Sequence, residues 1–139
     1  MRIMGLDIGK KTIGIALSDP AGLTAQPVTT IKRTTLTKDL EEVLGLSAEH
    51  SVTTIVAGLP LNMDGSHSAQ TGFVLKFLEK LKERTDIPVK TWDERLSTVA
   101  VERLLIESDV RREKRKEVVD KLAAAYILQG YLDSLKKAG

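Results

Sequence analysis

The hydrophobic pattern of this chain changes its period near residue 37, and that change limits the folds open to it. Residues 2–8 and 12–18 are apolar runs of strand length separated by a tight turn at residues 9–11, which predicts a β-hairpin. A third short strand is predicted near residues 28–31. The first part of the chain is therefore predicted to be an antiparallel meander.

Helix-like and strand-like segments alternate in the rest of the chain. Apolar residues at helical spacing predict helices at 37–50, 66–83, about 97–107 and about 117–136, and compact apolar runs predict strands at 53–57 and 87–92. A meander followed by strand–helix units predicts an α/β protein with a mixed sheet and helices on its faces. Because no internal repeat or long linker divides the sequence, residues 1–139 are predicted to form one domain.

The composition excludes several classes of site. The chain has no cysteine, which excludes disulfides, thiolate metal ligands and a cysteine nucleophile, and which predicts a cytoplasmic location. His50 and His67 are the only histidines, so a zinc cluster is not expected. No stretch approaches the roughly 20 apolar residues of a membrane span, so we expect no membrane partner.

Three acidic residues lie in settings that suit a metal-dependent nuclease. Asp7 interrupts the first apolar strand, Glu94 follows the strand that ends at Trp92, and Asp120 opens an alanine-rich helix. If the fold brings them together, their charge can hold Mg²⁺ or Mn²⁺, because hard cations prefer oxygen ligands. Two such ions would activate a water and stabilise the leaving oxygen in phosphodiester hydrolysis.

Each of these acidic residues also has a plainer explanation. Backbone N–H groups of the turn near Gly9 could satisfy Asp7, since a buried carboxylate needs a partner. Glu94 could belong to a surface salt-bridged turn with its neighbours. A carboxylate at position 120 could simply offset the dipole of its helix. The residues alone leave these alternatives open.

Several polar and cationic side chains are candidates for binding phosphate. The loop at residues 58–66 lies before a helix start, where anions bind readily, and its Asn62 could hydrogen-bond phosphate or sugar. Arg95 offers a bidentate fork beside Glu94. A basic cluster precedes Asp120 although the net charge of the chain is only +2: Arg111, Arg112, Lys114, Arg115 and Lys116. The cluster predicts a phosphate-binding patch or, equally, a solvated surface.

Four motifs together resemble the bacterial YqgF family: residues 7–19 (DIGKKTIGIALSD), 58–66 (GLPLNMDGS), 93–98 (DERLST), and Asp120 with its alanine-rich helix. The resemblance covers essentially the whole chain in matching order. Members are described as pre-16S rRNA nucleases or as Holliday-junction-resolvase-like proteins. The resemblance implies an RNase H-like fold, with a five-stranded mixed sheet flanked by helices.

The resemblance also implies roles for particular residues. It makes Asp7, Glu94 and Asp120 the catalytic, metal-binding trio. Many relatives carry arginine where this chain has Thr12, which removes one phosphate contact. We expect Lys10 and Lys11 to compensate as substrate-binding residues.

The expected function is that of an endonuclease that uses Mg²⁺ or Mn²⁺ to hydrolyse nucleic-acid phosphodiesters. The resemblance implies the 5′ end of pre-16S rRNA as substrate, in ribosome biogenesis, with ribosomal particles as further partners. One alternative is a resolvase of Holliday junctions in branched DNA, which should act as a symmetric dimer. Others are a catalytically silent nucleic-acid-binding module and, more remotely, an actin-like ATPase. We expect a monomer or a weak homodimer.

Overall fold

The computed structural model describes residues 2–94 and 115–138, with side chains described for residues 119–136 of the second range. A five-stranded sheet with the order β3-β2-β1-β4-β5 forms its centre. The strands are β1 (Arg2–Ile8), β2 (Thr12–Ser18), β3 (Ala25–Lys32), β4 (Val52–Leu59) and β5 (Val89–Asp93). The helices of the described part are α1 (Leu36–Glu49), α2 (Ala69–Lys82) and α3 (Arg115–Ala138).

The sheet is mixed, as the sequence predicted. β2 pairs antiparallel with both β1 and β3, whereas β4 pairs parallel with both β1 and β5. β1 is therefore the central strand, and its carboxyl end lies at the same edge of the sheet as those of β4 and β5. Ligands of α/β sheets usually bind at such carboxyl ends of parallel strands.

Helices cover both faces of the sheet, and successive side chains of β1 point into two separate cores. Met4, Leu6 and Ile8 belong to the larger core, which includes residues of α1 and α2. Ile3 belongs to the second core, which is shared with α3 through Ala124, Ala125, Leu128 and Leu132. Because strand side chains alternate, Gly5 and Asp7 point to the same face as Ile3. Asp7 therefore lies on the α3 face.

Small residues let α3 approach the sheet closely. A Cβ atom on Gly5 would lie 2.8 Å from Cβ of Leu128 and 2.9 Å from the carbonyl oxygen of Ala124. Ala123 and Ala124 are fully buried. Small residues on both the strand and the helix therefore bring α3 close to β1.

The structure corrects several predicted boundaries. β4 continues through Leu59, so Gly58 is a strand residue and not part of the loop. α2 begins at Ala69 and not at residue 66, because Ser68 forms a capping box with Thr71. Ser66 does not cap the helix; its side chain donates to Asp64 Oδ1 at 2.6 Å.

The last helix also starts earlier than predicted. α3 begins at Arg115, so Asp120 is in its second turn and does not open it. Since the dipole effect falls off within the first turn, dipole compensation explains Asp120 less well than the sequence indicated. The predicted helix at 97–107 falls outside the described residues. No helix among those described is both long and apolar enough to cross a membrane.

Candidate active site

Asp7 lies at the end of the central strand, between two glycines of the neighbouring strands. It is paired in register with Gly14 of β2. On its other side, the register Leu6↔Ala57 places Gly58 of β4 beside it. Residues side by side in a sheet point to the same face, so the missing side chains of both glycines leave space around the carboxylate, which is 9% exposed.

The backbone of Asp120 fills the space above Gly14. A Cβ atom on Gly14 would lie 2.0 Å from the carbonyl oxygen of Asp120, which is too close for any side chain at this position. The side chain of Asp120 accepts a hydrogen bond at Oδ2 from Thr12 Oγ1, two residues before Gly14 on the same strand. Asp120 is therefore held against β2, beside Asp7.

Glu94 lies on the same face of the sheet as Asp7 and Asp120, but on the β4 side of Asp7. It directly follows β5, whose Trp92 is paired with Gly58. A Cβ atom on Gly58 would lie 2.6 Å from Glu94 Oε1 and 2.5 Å from Cδ1 of Ile127. The carboxylate thus extends back over β4, next to the strand that carries Asp7.

The three acidic residues lie on the α3 face of the sheet: Asp7 near the end of β1, Asp120 on α3 against Gly14, and Glu94 just after β5 against Gly58. Their chemistry fits Mg²⁺ or Mn²⁺, since carboxylate oxygens are the preferred ligands of both ions. Within the described ranges, 2–94 and 115–138, no group of three or more histidine, aspartate or glutamate residues has the arrangement of a metal site. The described side chains therefore share a face without forming a closed coordination shell.

The turn that follows Asp7 is held by Arg33. The guanidinium donates through Nη1 to the carbonyl oxygen of Gly9 at 2.9 Å, and the backbone N–H of Arg33 donates to the carbonyl oxygen of Lys11 at 2.9 Å. Gly9 in turn donates to the carbonyl oxygen of Thr12 at 2.9 Å. These bonds fix the turn, on which the side chains of Lys10 and Lys11 are exposed to solvent.

A buried ion pair with Asp39 holds the side chain of Arg33 in place. Its Nε donates to Oδ2 of Asp39 at 3.0 Å, and the two side chains are 13% and 2% exposed. The guanidinium carbon lies 4.9 Å from the ring centre of Phe73 and 5.1 Å from that of Phe77, which are cation–π distances. Sequence analysis missed this assembly, although an aspartate on the inward side of α1 was an available signal.

Asn62 holds together the loop between β4 and α2. Its amide Nδ2 donates to Ser66 Oγ at 2.9 Å, and its backbone N–H donates to the carbonyl oxygen of Ser66 at 3.0 Å. The side chain of Thr71 anchors the start of the loop by donating to the carbonyl oxygen of Pro60. Asn62 is exposed, so a contact with substrate stays a prediction.

The remaining candidates have no described side chain. Arg95, Arg111, Arg112 and Lys114 lie outside the described residues. Arg115 is the first residue of α3, but its side chain also lies outside them. The predicted basic patch therefore stays a prediction.

The glycines beside Asp7 and the hydroxyl of Thr12 were not identified as site residues from the sequence. Glycine inside a strand often marks a close approach by another part of the molecule. Gly14 and Gly58 each interrupt an apolar strand, so this signal was present. Thr12 is 7% exposed and bonded to Asp120. Its side chain is therefore not placed to contact phosphate at the surface, which is the role expected of the arginine that many relatives carry there.

Comparison with known proteins identifies close relatives over the whole chain. Residues 1–134 match the family described as RuvX, Holliday junction resolvase. A protein of Desulforamulus reducens named "Putative pre-16S rRNA nuclease" is 59% identical over 134 residues, covering 96% of this chain and 98% of the relative. One of Clostridium botulinum with the same name is 56% identical over 137 residues, covering 99% of this chain and all of the relative.

Solved structures with the same fold share little sequence with this chain. Thermus thermophilus RuvC in complex with a Holliday junction substrate superposes with a TM-score of 0.60 at 14% identity, covering 96% of each chain. The fowlpox virus Holliday junction resolvase gives a TM-score of 0.55 at 14% identity, covering 97% of this chain and 99% of the viral one. At such identities the likeness establishes the fold alone, and it confirms the RNase H-like fold that the resemblance implied. With a family match over residues 1–134 and relatives above 50% identity, the chain belongs to the family described as RuvX, Holliday junction resolvase, and its resemblance to the YqgF family is confirmed.

Proposed function

We propose that this protein is a metal-dependent endonuclease that hydrolyses nucleic-acid phosphodiesters at the carboxyl ends of β1, β4 and β5. The observation that carries the proposal is the placement of Asp7 between Gly14 and Gly58. Asp120 lies against the first of these glycines and Glu94 against the second. Acidic residues remote in sequence thus occupy one small region of one sheet face.

Asp7, Glu94 and Asp120 would hold Mg²⁺ or Mn²⁺. When bound, the cation supplies charge that stabilises the developing phosphorane and lowers the pKa of a water molecule. The protein contributes the rigidity of the site, because Asp7 lies in a central strand and Asp120 on a helix packed tightly against it. Preorganised charge of this kind is usually the largest contribution to catalysis.

Lys10 and Lys11 would bind substrate phosphates beside Asp7. Both are exposed on a turn that Arg33 holds through two backbone carbonyl groups. Asn62, Arg95, Arg111, Arg112, Lys114 and Arg115 are proposed to extend the phosphate-binding surface. Cationic side chains of this kind position the nucleic-acid backbone without reading its sequence.

The proposed substrate is precursor 16S rRNA, cut at its 5′ end during ribosome biogenesis in the cytoplasm. What supports this choice is the name of relatives that are 54–59% identical to this chain over nearly its full length. Ribosomal particles carrying the precursor are proposed as further partners. The second candidate is a Holliday junction, which the family description favours.

A cleavage assay with Mg²⁺ or Mn²⁺ on both substrates tests the proposal. The full chain should cut 5′-extended 16S precursor RNA, should lose activity in excess EDTA, and should cut a four-way DNA junction more slowly. Asp7→Asn should be inactive on both. Cleavage of the junction alone would replace RNA by branched DNA as substrate, and no cleavage of either by a folded protein would favour a silent binding module.

A further inference from the structure

We propose that Thr12 is a positioning residue for the carboxylate of Asp120. This inference rests on the proposed function, in which Asp120 is a metal ligand. The contact that motivates it joins Thr12 Oγ1 to Asp120 Oδ2 across 108 residues of sequence. A hydroxyl can donate a hydrogen bond, whereas an ionised carboxylate can only accept one, so Thr12 is the donor.

Thr12 is well suited to fix another side chain. It is the first residue of β2 and only 7% exposed, and its backbone is paired with Lys32 of β3. A β-branched side chain has few χ1 rotamers, so the direction of its hydroxyl is fixed by the strand. The hydroxyl is therefore attached to the rigid sheet and not to a mobile surface.

Two neighbouring positions of β2 hold Asp120 in different ways. Gly14 lets the backbone of Asp120 lie directly on the strand, because a Cβ atom there would be 2.0 Å from its carbonyl oxygen. Thr12, on the same face of the strand, holds the carboxylate. The backbone and the side chain of Asp120 are thus fixed by one strand, beside the position of Asp7.

The bond has a consequence for metal binding. By bonding Oδ2, Thr12 orients the carboxylate through which Asp120 would bind a cation. Hydrogen bonds from outer-shell groups orient ligating carboxylates, and losing one typically lowers metal affinity or activity by about 10–100-fold. We therefore expect Thr12 to affect metal affinity and turnover without contacting the metal or the nucleic acid.

Thr12→Val tests the proposal because it removes the hydroxyl and keeps the branched shape. Thr12→Ser is the rescue variant, since it restores a donor at the same place. Ser18→Ala is the matched control for loss of a buried hydroxyl: Ser18 lies at the other end of β2, is 2% exposed, and accepts from the backbone N–H of Ile3 at 2.9 Å. It lies about 20 Å from Thr12 at the usual rise of a strand.

The measurements are Mn²⁺ affinity by isothermal titration calorimetry, kcat and KM on the cleaved nucleic acid, and the urea midpoint of unfolding. Thr12→Val should weaken Mn²⁺ binding by roughly tenfold and lower kcat by a similar factor. Its KM should stay within about twofold of the wild type, because no substrate contact is lost. Thr12→Ser should recover most of both losses, and Ser18→Ala should change only the urea midpoint.

The outcomes separate this inference from the function on which it rests. Wild-type Mn²⁺ affinity and kcat in Thr12→Val, with Asp120→Asn inactive, would overturn the role of Thr12 and leave the proposed function standing. Equal losses of affinity in Thr12→Val and Ser18→Ala would overturn it too, by showing a general effect on stability. Wild-type Mn²⁺ binding and cleavage in Asp120→Asn would overturn the role of Asp120 and with it that of Thr12, whereas no Mn²⁺ binding and no cleavage by the folded wild-type protein would overturn the proposed function.

Discussion

The carboxyl group of Glu94 lies against the α-carbon of Gly58, on the strand beside Asp7. A methyl group at residue 58 would be 2.6 Å from Glu94 Oε1. The other two of the three nearest atoms are Cδ1 and Cγ1 of the buried Ile127, at 2.5 and 3.0 Å. The absence of a side chain at residue 58 therefore determines where this carboxylate can lie.

Gly58→Ala should displace Glu94 and lower kcat by roughly 10–100-fold, because a site residue misplaced by about 1 Å can cost that much. The loss of stability should be small, since only the ends of flexible side chains must move. Cleavage rates and urea unfolding measure the two effects. Gly45→Ala on α1, where a Cβ atom meets nothing within 4 Å, should leave kcat unchanged. Unchanged kcat in Gly58→Ala would argue against the placement of Glu94.

Gly14→Ala should destabilise the protein, because the group in the way is the backbone of Asp120 at 2.0 Å and not a flexible side chain. Overpacking of this kind costs about 1–3 kcal/mol. Gly72→Ala is the matched control, since α2 has open space there, and it should gain roughly 0.5–1 kcal/mol. Urea unfolding measures both, and an equally stable Gly14→Ala variant would show that α3 does not lie on β2 as described.

Asp7→Asn, Glu94→Gln and Asp120→Asn should each lower metal-dependent cleavage by roughly 10²-fold or more, since each removes charge that stabilises the transition state. Circular dichroism should show the fold intact. Asp133→Asn is a control on the same helix as Asp120; its exposed carboxylate lies 3.8 Å from Lys136 Nζ and should not affect turnover. Full turnover in any of the first three variants would remove that residue from the proposed site.

Arg33→Met should destabilise the protein by about 2–4 kcal/mol, because it leaves the buried Asp39 without its cation. The additional change Asp39→Leu should recover part of that loss. Lys80→Met is the control, since the exposed pair of Lys80 and Glu83, with N–O distance 3.8 Å, should contribute less than about 1 kcal/mol. Chemical denaturation gives the three differences, and equal effects of Arg33→Met and Lys80→Met would contradict the importance of the buried pair.

The basic cluster should determine how salt affects substrate binding. Changing Arg111, Arg112, Lys114 and Arg115 to glutamine should weaken binding and lower the slope of log K against log salt by roughly 3, at about 0.7–0.9 per phosphate contact. A control with the same change in net charge alters lysines of α1 and α2, on the face of the sheet away from α3: Lys38, Lys76, Lys80 and Lys82. Equal slopes for both variants would identify the cluster as a solvated surface.

The strands were predictable because both faces of the sheet are covered. Helices on both sides make β1, β2 and β4 nearly continuous apolar runs, and an acidic residue within such a run is conspicuous. Asp7 was identified for that reason. The N–H of Gly9, one of the turn groups considered as a partner for Asp7, donates to the carbonyl oxygen of Thr12.

Contacts between segments remote in sequence were not predictable. Gly14 and Gly58 interrupt apolar strands, but only the register of the sheet places them on either side of Asp7. The resemblance implied only that Thr12 removes a phosphate contact, whereas its hydroxyl bonds Asp120, which lies 108 residues away. Arg33 and Asp39 are only six residues apart, and the buried aspartate on the inward side of α1 was the local signal for their ion pair. Local pattern carries no signal for a pair as remote as Thr12 and Asp120.

The start of α2 shows how local chemistry can also mislead. Both Ser66 and Ser68 are reasonable caps, and the choice depends on Thr71, whose side chain completes a capping box with Ser68 and also bonds the carbonyl oxygen of Pro60. Ser66 instead closes the preceding loop with Asn62 and Asp64. Tertiary bonds of the loop therefore decided the boundary.

An anomalous difference map from a crystal soaked in Mn²⁺ will show whether Asp7, Glu94 and Asp120 hold one metal site. We expect a peak on the α3 face of the sheet, within about 2.0–2.4 Å of an oxygen of each carboxylate. The peak should vanish in Asp7→Asn crystals. A Mn²⁺ peak bound elsewhere, with these three carboxylates uncoordinated, would contradict a shared metal site.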